Sequence, residues 1–549
     1  MTVLEQLGLR RVGRWFDATV LDLARQLRWS YAPPLMVYLA AGVSGLTAIV
    51  GTFFVKDYLG LSAAFLVSLT FWAGIPWALK MPLGHIVDLI WRWKAGLVYF
   101  GATLIALSLG IMYGLIAHTD AMSRIMSVEA WYVISVLLSP TGYVIQDVVA
   151  DAMTVEAVPL ADDQGQPFSE KEIKLMHTTM QTLGRFAIVT GLIVVALLNL
   201  EMFSQVESLS TEQKAEIYAR IYLIALAIPA ISIAGVILGW LSLRRRVRRL
   251  RDQGLDETQV ASMLFAPEEN TEPNWWILGG TAAFAAFTLA IGLGEVPFAQ
   301  EVIFIGSLAI VLFLMQRLLL ALPKNTRTAL IGTAVIIFTF RAVPTPGPGA
   351  IWFEIDVLGF DQHFLSILSL ITSGLALFGM LVLRPLMANR SVAYIVALLT
   401  VAAGILSIPN IGLYYGVQEW TARITNGVVD ARFIAILDTA IESPLGQISM
   451  IPMLAWIAKN APAHLKATFF AVMASFTNLA LSASSLLTKY LNEVFVVRRE
   501  VRDRVSGAVE VVADFSELGF LLIAVTLCTS VLPLGTILIV QRSPFKTQQ

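Results

Sequence analysis

Long apolar segments separated by short polar loops occupy most of the 549-residue chain. A membrane-spanning helix needs about 20 apolar residues. The first part of the chain offers six such segments, at residues 33–54, 62–83, 95–117, 128–156, 175–200 and 217–243. Eight more follow, at residues 275–294, 298–322, 328–346, 363–384, 391–412, 431–458, 466–490 and 516–540. The pattern predicts an all-α polytopic membrane protein with about fourteen transmembrane helices.

Composition narrows the class further. Hydrophobic residues make up 57% of the chain and charged residues 14%, whereas soluble domains carry nearer 25% charged residues. A net charge of −1 gives no reason to expect a nucleic-acid partner, so the lipid bilayer is the expected environment. The single cysteine, Cys528, and five scattered histidines have no metal-ligand spacing. We therefore expect neither a metal nor a cofactor.

Basic residues predict the orientation. The N-terminal arginines, the run 244–251 after the sixth span and several smaller groups fall on alternate loops. Loops rich in Lys and Arg face the cytoplasm, so both termini are predicted to be cytoplasmic, in a plasma membrane of the bacterial inner-membrane type. The loop 498–504, with four arginines, is an exception to the pattern.

An internal repeat predicts the domain organisation. Residues 436–442 (Ile-x-Asp-x-x-x-Glu) repeat residues 145–151 (Ile-x-Asp-x-x-x-Asp), and each stretch lies in the fourth apolar segment of its half. Secondary transporters use such internal duplication to build a midplane site between two repeated halves. The predicted parts are an amphipathic segment (1–32), a six-helix bundle (33–243), a basic linker (244–274), an inserted two-helix hairpin (275–322) and a second six-helix bundle (327–540).

The repeated acidic residues are the main candidates for a functional site. Asp147 and Asp151 are four residues apart and therefore share one face of a helix. A charge at the centre of a bilayer costs roughly 2.5–3.5 kcal/mol, so such residues face a wet cavity, meet a cation or hold a proton. Each of these possibilities favours transport. The other acidic candidates along the same two stretches are Glu156, Asp438 and Glu442.

Arg185, inside the fifth span, is the best cation for Asp147 or Asp151 on sequence alone. An arginine in a span keeps its charge, so it needs a carboxylate or an anionic substrate. A role in the site and a static structural ion pair both remain open. The matching region of the second half holds a neutral residue, Asn478.

A run of three prolines and two glycines, residues 344–349, follows Arg341 and precedes Glu354. Prolines cannot continue a helix, and non-helical backbone at membrane depth must line a cavity or lie within protein. Arg341 and Glu354 are thus candidates for a cavity mouth. An ordinary external loop is the alternative.

The loop after the second span has the spacing Gly84-x-x-x-Asp88-x-x-x-Arg92-x-Lys94. It resembles the loop between helices two and three of the major facilitator superfamily, where the acid latches one closed state. A plain interfacial loop is the alternative. Lys80 and Arg384 lie at matching places in the two halves, and both side chains can reach the membrane interface.

Taken together, these motifs resemble the folate–biopterin transporter family of the major facilitator superfamily. The resemblance rests on Lys80-x-Pro-x-Gly-x-x-x-Asp88, on the acidic stretch 147–156, on the Pro-Gly run with the residues to Phe360, and on the segment from Asp438 to Asn478-Leu479. It covers most of residues 33–260 and 327–540. It implies a folate- or pterin-like substrate. The carboxylates inside the spans add the expectation of a proton-coupled secondary transporter that works by alternating access. Residues 275–322 and 461–468 depart from the family pattern.

Other functions stay open at this point. Within transport, the candidate substrates are a folate or pterin, another amphipathic anion, a nucleoside-like molecule and a peptide fragment. Both import and export stay open. A non-transporting membrane assembly factor or receptor is the second class, but it has no need of charges in both fourth spans. A membrane enzyme lacks support, because the sequence shows no metal-ligand cluster, nucleophile elbow or phosphate loop.

Overall fold

The computed structural model describes most of the chain. The described residues are 25, 27–54, 63–78, 80–90, 93–159, 166, 168–204, 209–254, 256–257, 260, 275–293, 296–320, 323–382, 390–446, 466–502 and 509–547. Nearly all of the regular structure is helical. The predicted all-α class is confirmed, with one small addition at the end of the chain.

The described residues of the first half form ten helices. They are α1 (Ala32–Val43), α2 (Ala48–Phe54), α3 (Ala63–Ala78), α4 (Lys80–Leu89), α5 (Lys94–Ala117), α6 (Thr119–Ser123), α7 (Val128–Ala157), α8 (Glu170–Met202), α9 (Thr211–Ala225) and α10 (Ala227–Asp252). The first two predicted spans each consist of two consecutive helices. A 3₁₀ turn, Ser44–Thr47, joins α1 to α2.

The described residues of the remaining chain form ten more helices and one strand pair. The helices are α11 (Trp275–Leu293), α12 (Ala299–Leu319), α13 (Lys324–Arg341), α14 (Pro348–Asp356), α15 (Gln362–Val382), α16 (Val392–Tyr414), α17 (Val417–Ile424), α18 (Ala431–Gly446), α19 (Lys466–Val494) and α20 (Leu518–Gln541). The strands β1 (Val501–Arg502) and β2 (Val509–Val511) pair antiparallel, which adds a hairpin that the apolar pattern did not predict.

Nine helical segments among the described residues are long and apolar enough to cross a membrane. The chain is therefore a multi-pass membrane protein. The count of about fourteen spans and the division into five parts stay predictions.

Sequence signals account for several helix boundaries. Ser169 begins α8 with a capping box, in which its side chain accepts from the Glu172 main-chain N–H and the Glu172 carboxylate accepts from the Ser169 N–H. The helix α10 runs past the end of its apolar segment, because arginine is a good helix former and hydropathy does not measure helix propensity. Within that extension, the Arg244 guanidinium lies 3.7 Å from the centre of the Trp240 ring.

The two ends of the bundle differ in what they hold. We call the end with Tyr31 and Ala157, which share an apolar cluster, the terminal end, because α1, the first described α-helix, begins there. The opposite end, at the start of α7 and of α15, is the distal end. A large apolar cluster fills the distal part of the first half and includes Phe53, Phe203 and Tyr218.

Close backbone contacts hold the first half together. The helices α5 and α7 cross at Gly101 and Gly142, where a Cβ on either residue would lie within 2.7 Å of the other's carbonyl oxygen. Small residues at such crossings are typical of membrane helix pairs. Gly235 packs α10 onto α1 in the same way, since an added Cβ would lie 2.9 Å from the Pro33 carbonyl oxygen.

The most extensive contacts between the halves are made by two helix pairs. The helix α3 packs along α19, and α8 packs along α15. At the distal end the Gln362 amide donates to the Tyr218 hydroxyl over 2.7 Å, in a buried bond between α15 and α9. The described distal parts of the two halves are therefore in contact.

The helix pair α11–α12 lies against both halves. Glu301 of α12 accepts from Tyr490 at 2.5 Å and lies 3.2 Å from the Lys489 ammonium, both on α19. The neighbouring Gln300 amide donates to the Ser68 hydroxyl of α3 over 2.6 Å. Ile303 is fully buried in an apolar cluster with residues of α3 and α19. The pair thus bridges α3 and α19 near their distal ends.

Candidate functional site

Lys80 lies between the two carboxylates that the sequence singled out. Its ammonium is 2.5 Å from Asp147 Oδ2 and 2.8 Å from Asp151 Oδ2. Both aspartates belong to a segment of α7, Val128–Thr154, that is long and apolar enough to cross a membrane. Because Asp147 and Asp151 are one helical turn apart, one cation reaches both. With all three groups ionised, this cluster has a net charge of −1.

The side chains of the cluster are partly exposed. The side chains of Lys80 and Asp147 are 18% and 19% exposed, whereas that of Asp151 is 45% exposed. Lys80 is the first residue of α4, which packs on α7 and also on α19 of the second half. The cluster therefore lies beside the junction of the halves, with one carboxylate open to solvent space.

Tyr38 of α1 provides a second partner for Asp151. Its hydroxyl donates to Asp151 Oδ1 over 2.6 Å. The tyrosine is buried, and its ring packs on Gly184 of α8, where an added Cβ would lie 2.8 Å from ring atom Cε2. Only glycine leaves room for the ring at that position, so the hydroxyl is held in place.

Arg185 does not make the ion pair predicted for it. Lys80 occupies the position between the carboxylates, and Arg185 stays largely exposed. Arg185 is nevertheless close enough to interact electrostatically with Asp147, Asp151 and Arg341. The physical reason for the difference is reach, since α4 lies directly against α7 and Lys80 begins that helix.

The second half repeats the acid position with different partners. Asp438 of α18 is buried, and its Oδ2 accepts from the Asn410 amide over 3.0 Å. Glu354 of α14 is close enough to Asp438 for their charges to interact. The two repeat stretches thus place a carboxylate in each half, but a lysine faces the first and an amide the second.

The last two residues of the Pro-Gly run after Arg341, Pro348 and Gly349, begin α14, but the backbone before them is non-helical, as predicted, and lies against α19. Three polar side chains on one face of α19 bind the main chain of this non-helical segment. Ser484 donates to Val343 O over 2.6 Å, Thr488 accepts from Thr345 N over 2.9 Å, and Asn492 donates to Pro346 O over 3.2 Å. Of the two expectations for non-helical backbone at depth, this run satisfies the requirement that it lie within protein.

Asn478 lies at the junction of the halves. Its amide donates to Trp77 O of α3 over 2.9 Å. Its placement puts it beside α3 and not on the carboxylates of α7.

Several predicted residues lie outside the described part of the molecule. These are Arg92 and Arg384, together with the side chains of Asp88, Glu156 and Glu442. Gly84, the first residue of the latch motif, has no described atom within 4 Å of the position that a Cβ would take. The latch therefore stays a prediction.

Sequence reasoning missed two members of the site. Tyr38 was not singled out because a tyrosine in an apolar span usually belongs to the core. Asn410 carries a clearer signal, since an amide in the middle of an apolar segment needs a hydrogen-bond partner. The described residues contain no group of three or more His, Cys, Asp or Glu residues that could hold a metal.

The helical bundle has a major facilitator-type fold. Solved structures share this fold. A peptide-transporter (POT) family protein in complex with 5-aminolevulinic acid is 14% identical, with a TM-score of 0.59 and coverage of 94% of this chain and 96% of that one. A point mutant of the nucleoside transporter NupG is 12% identical, with a TM-score of 0.53 and coverage of 93% and 100%.

A family model described as the BT1 family matches residues 41–548. The chain belongs to this family, the folate–biopterin transporters that the sequence motifs resemble. A curated relative, the folate-biopterin transporter of Synechocystis sp. (strain ATCC 27184 / PCC 6803 / Kazusa), is 23% identical over 481 residues, which cover 84% of this chain and 75% of the relative. The protein is therefore a transporter and not an enzyme, and a non-transporting factor is not favoured.

Proposed function

We propose that the protein is a proton-coupled secondary transporter that moves a folate- or pterin-like organic anion by alternating access. The observation that carries the proton coupling is the position of Lys80 between Asp147 and Asp151. The name of the Synechocystis relative supports the substrate class. In this proposal Asp438 and Glu354, which lie close to each other, line the central cavity from the second half.

The charge balance of the cluster gives it a reason to bind a proton. Two carboxylates and one ammonium leave one negative charge inside a predicted span, and an uncompensated charge there costs roughly 2.5–3.5 kcal/mol. One proton on a carboxylate removes that charge and leaves Lys80 paired with the other. Because Lys80 belongs to α4 and the aspartates to α7, the proton changes how firmly these helices are joined.

Two arginines support an anionic substrate. Arg185 of α8 and Arg341 of α13 belong to opposite halves and are close enough to interact electrostatically. Like charges that approach each other across two halves are eased by an anion between them, and a guanidinium binds a carboxylate in bidentate fashion. We assign them the carboxylate end of the substrate. Asn478 of α19, Glu156 of α7 and Glu442 of α18 are further candidates for lining or flanking the cavity.

Alternating access requires the halves to separate at one end at a time. The buried bond between Gln362 and Tyr218 joins them at the distal end. In the proposed cycle this bond breaks when the distal end opens, while the predicted latch around Gly84, Asp88 and Arg92 closes the terminal end together with Lys80 and Arg384.

We place the terminal end in the cytoplasm, in a plasma membrane of the bacterial inner-membrane type. The arginine-rich extension of α10, residues 244–251, lies at that end, and such clusters face the cytoplasm. Single-cysteine labelling on a Cys528→Ser background tests the orientation. A cysteine at Asp252 should react with a membrane-impermeant maleimide only after the cells are opened, and reaction in intact cells would reverse the orientation.

The function is tested by uptake of labelled folate into proteoliposomes, with and without a proton gradient, for the wild type and for Asp147→Asn. Asp120→Asn, an exposed carboxylate near the distal end, is the matched control. We expect gradient-driven uptake in the wild type and the control and its loss in Asp147→Asn. Equal uptake with and without the gradient would overturn proton coupling. Absence of folate uptake by well-folded protein would overturn the assigned substrate class.

A further inference from the structure

The two carboxylates that share Lys80 are not equivalent. Asp151 has a donor at each oxygen, with Lys80 at Oδ2 and Tyr38 at Oδ1. In the described part of the chain, the hydrogen bonds of Asp147 come from Lys80 at Oδ2. A carboxylate that accepts two donors is stabilised in its ionised form, so the pair has one strongly held anion and one weakly held anion.

From this geometry we infer that Asp147 is the carboxylate that gains and loses the proton, and that Tyr38 is a positioning residue that keeps Asp151 ionised as the fixed partner of Lys80. This assignment rests on the proposed function and gives each aspartate its own part in it. In the protonated state Asp147 is a neutral acid, and Lys80 stays charged and paired with Asp151. One proton is bound and one negative charge disappears.

The surroundings of Tyr38 show why it can hold this position. It lies on α1 in an apolar cluster with Val37 and Ala150, and Gly184 makes space for its ring. Three helices therefore fix the hydroxyl, which has no freedom to follow the proton from one carboxylate to the other. Asp147 has no donor of this kind among the described residues.

Three groups face Asp147 and Asp151 from the neighbouring helices. They are Tyr38 from α1, Lys80 from α4 and Arg185 from α8. Lys80 contacts both aspartates, and Arg185 interacts with both. Tyr38 is the one among these three that hydrogen-bonds to a single aspartate, so the difference between the two carboxylates follows from it.

The inference can be tested without substrate, by infrared titration of protonated carboxyl groups in the purified full chain. We expect Asp147→Asn to remove the titrating group, whereas in Asp151→Asn a group still titrates, at a lower midpoint because Lys80 then pairs with Asp147 alone. Tyr38→Phe should raise the titration midpoint by about one pH unit, because loss of the hydrogen bond to ionised Asp151 makes proton uptake by the two aspartates easier. Tyr99→Phe, an exposed tyrosine on α5, should leave the midpoint unchanged.

Two results would overturn the assignment. One is loss of the titrating group in Asp151→Asn with its retention in Asp147→Asn. The other is a Tyr38→Phe midpoint that matches the wild type. Size-exclusion profiles establish that each variant is folded, and Tyr38→Phe, which keeps the ring, is the variant to rely on if Asp151→Asn fails this check.

Proteoliposome uptake separates this inference from the proposed function. A titration that follows the expectation in a protein that moves no folate leaves the assignment standing and removes the substrate. Gradient-driven folate uptake that survives in Asp147→Asn and is lost in Asp151→Asn leaves the function standing and reverses the assignment. Absence of any titrating group from this pair removes both the assignment and proton binding at the cluster.

Discussion

The amide of Asn478 donates a hydrogen bond to the main-chain oxygen of Trp77, 401 positions earlier in the sequence. This bond joins α19 to α3, two helices that belong to opposite halves. Replacement by alanine removes the donor and should lower the free energy of unfolding by about 1 kcal/mol. Thermal unfolding in detergent measures this, with the exposed Asn325→Ala as the control. Equal melting temperatures for the two variants would show that the bond contributes nothing.

Lys80→Met should be the most damaging single change at the site. It leaves two carboxylates without their ammonium, and removal of one partner from a buried ion pair costs roughly 3–5 kcal/mol. Because the pair here is partly exposed, we expect a loss towards the lower value, seen as a reduced folded yield and melting temperature. Lys80→Arg keeps the charge and should lose much less.

A second substitution provides the internal check. The double variant Lys80→Met/Asp147→Asn restores the net charge of the cluster to −1 and should recover part of the lost stability, which a double-mutant cycle reports. If the double variant is no more stable than Lys80→Met alone, the charge balance is not what the lysine provides.

The polar face of α19 should be needed to hold the break after α13. Thr488→Val removes the acceptor for Thr345 N, and loss of this partly buried hydrogen bond should cost about 1 kcal/mol. Thr103→Val, exposed on α5, makes the same chemical change away from the break. The prediction fails if the two variants unfold at the same temperature.

Gly347 offers a separate test of the same break. Its φ of 74° lies in the left-handed region, which costs a residue with a Cβ about 1 kcal/mol or more. Gly347→Ala should therefore destabilise the protein, while Gly374→Ala, in a helix with open space around it, should be neutral or stabilising. Circular dichroism on heating distinguishes these outcomes.

A disulfide between α12 and α3 should stop transport. Cysteines at Ser68 and Gln300, whose side chains are hydrogen-bonded, should cross-link on oxidation in a Cys528→Ser background. The link fixes the helix pair α11–α12 to the first half and prevents the distal end from opening. Uptake should fall on oxidation and return with reductant.

The matched pair Ser68 and Gln316 controls for oxidation itself. Gln316 lies on the same helix as Gln300 but about four turns further on, roughly 24 Å away along its axis. This pair should neither cross-link nor lose activity. Full activity of the cross-linked Ser68/Gln300 protein would show that α12 stays on α3 throughout the cycle.

The sequence predicted local features well. The fourth span was placed at residues 128–156 and the helix is Val128–Ala157, because a long apolar run determines where a membrane helix lies. The shared face of Asp147 and Asp151 followed from helix geometry alone. The break in helix before Pro348 followed from the prolines of the run.

Contacts between segments that are distant in the sequence could not be predicted from it. Lys80 and Asp147 are 67 positions apart, and nothing in their spacing favours Lys80 over Arg185, which also lies inside a span. Tyr38 lies further still from Asp151, at 113 positions. One signal was available, because Ser484, Thr488 and Asn492 recur every four residues in an apolar helix and so mark a polar face.

The pairing of α3 with α19 has a consequence for how the protein is made. Chains grow at about 5–20 residues per second, so the 401 residues between Trp77 and Asn478 take roughly 20–80 s to synthesise. During that time α3 is already in the membrane, and lipid or an insertion chaperone must occupy the place of α19. A premature stop before residue 466 would leave that face of the first half permanently uncovered and mark the fragment for degradation.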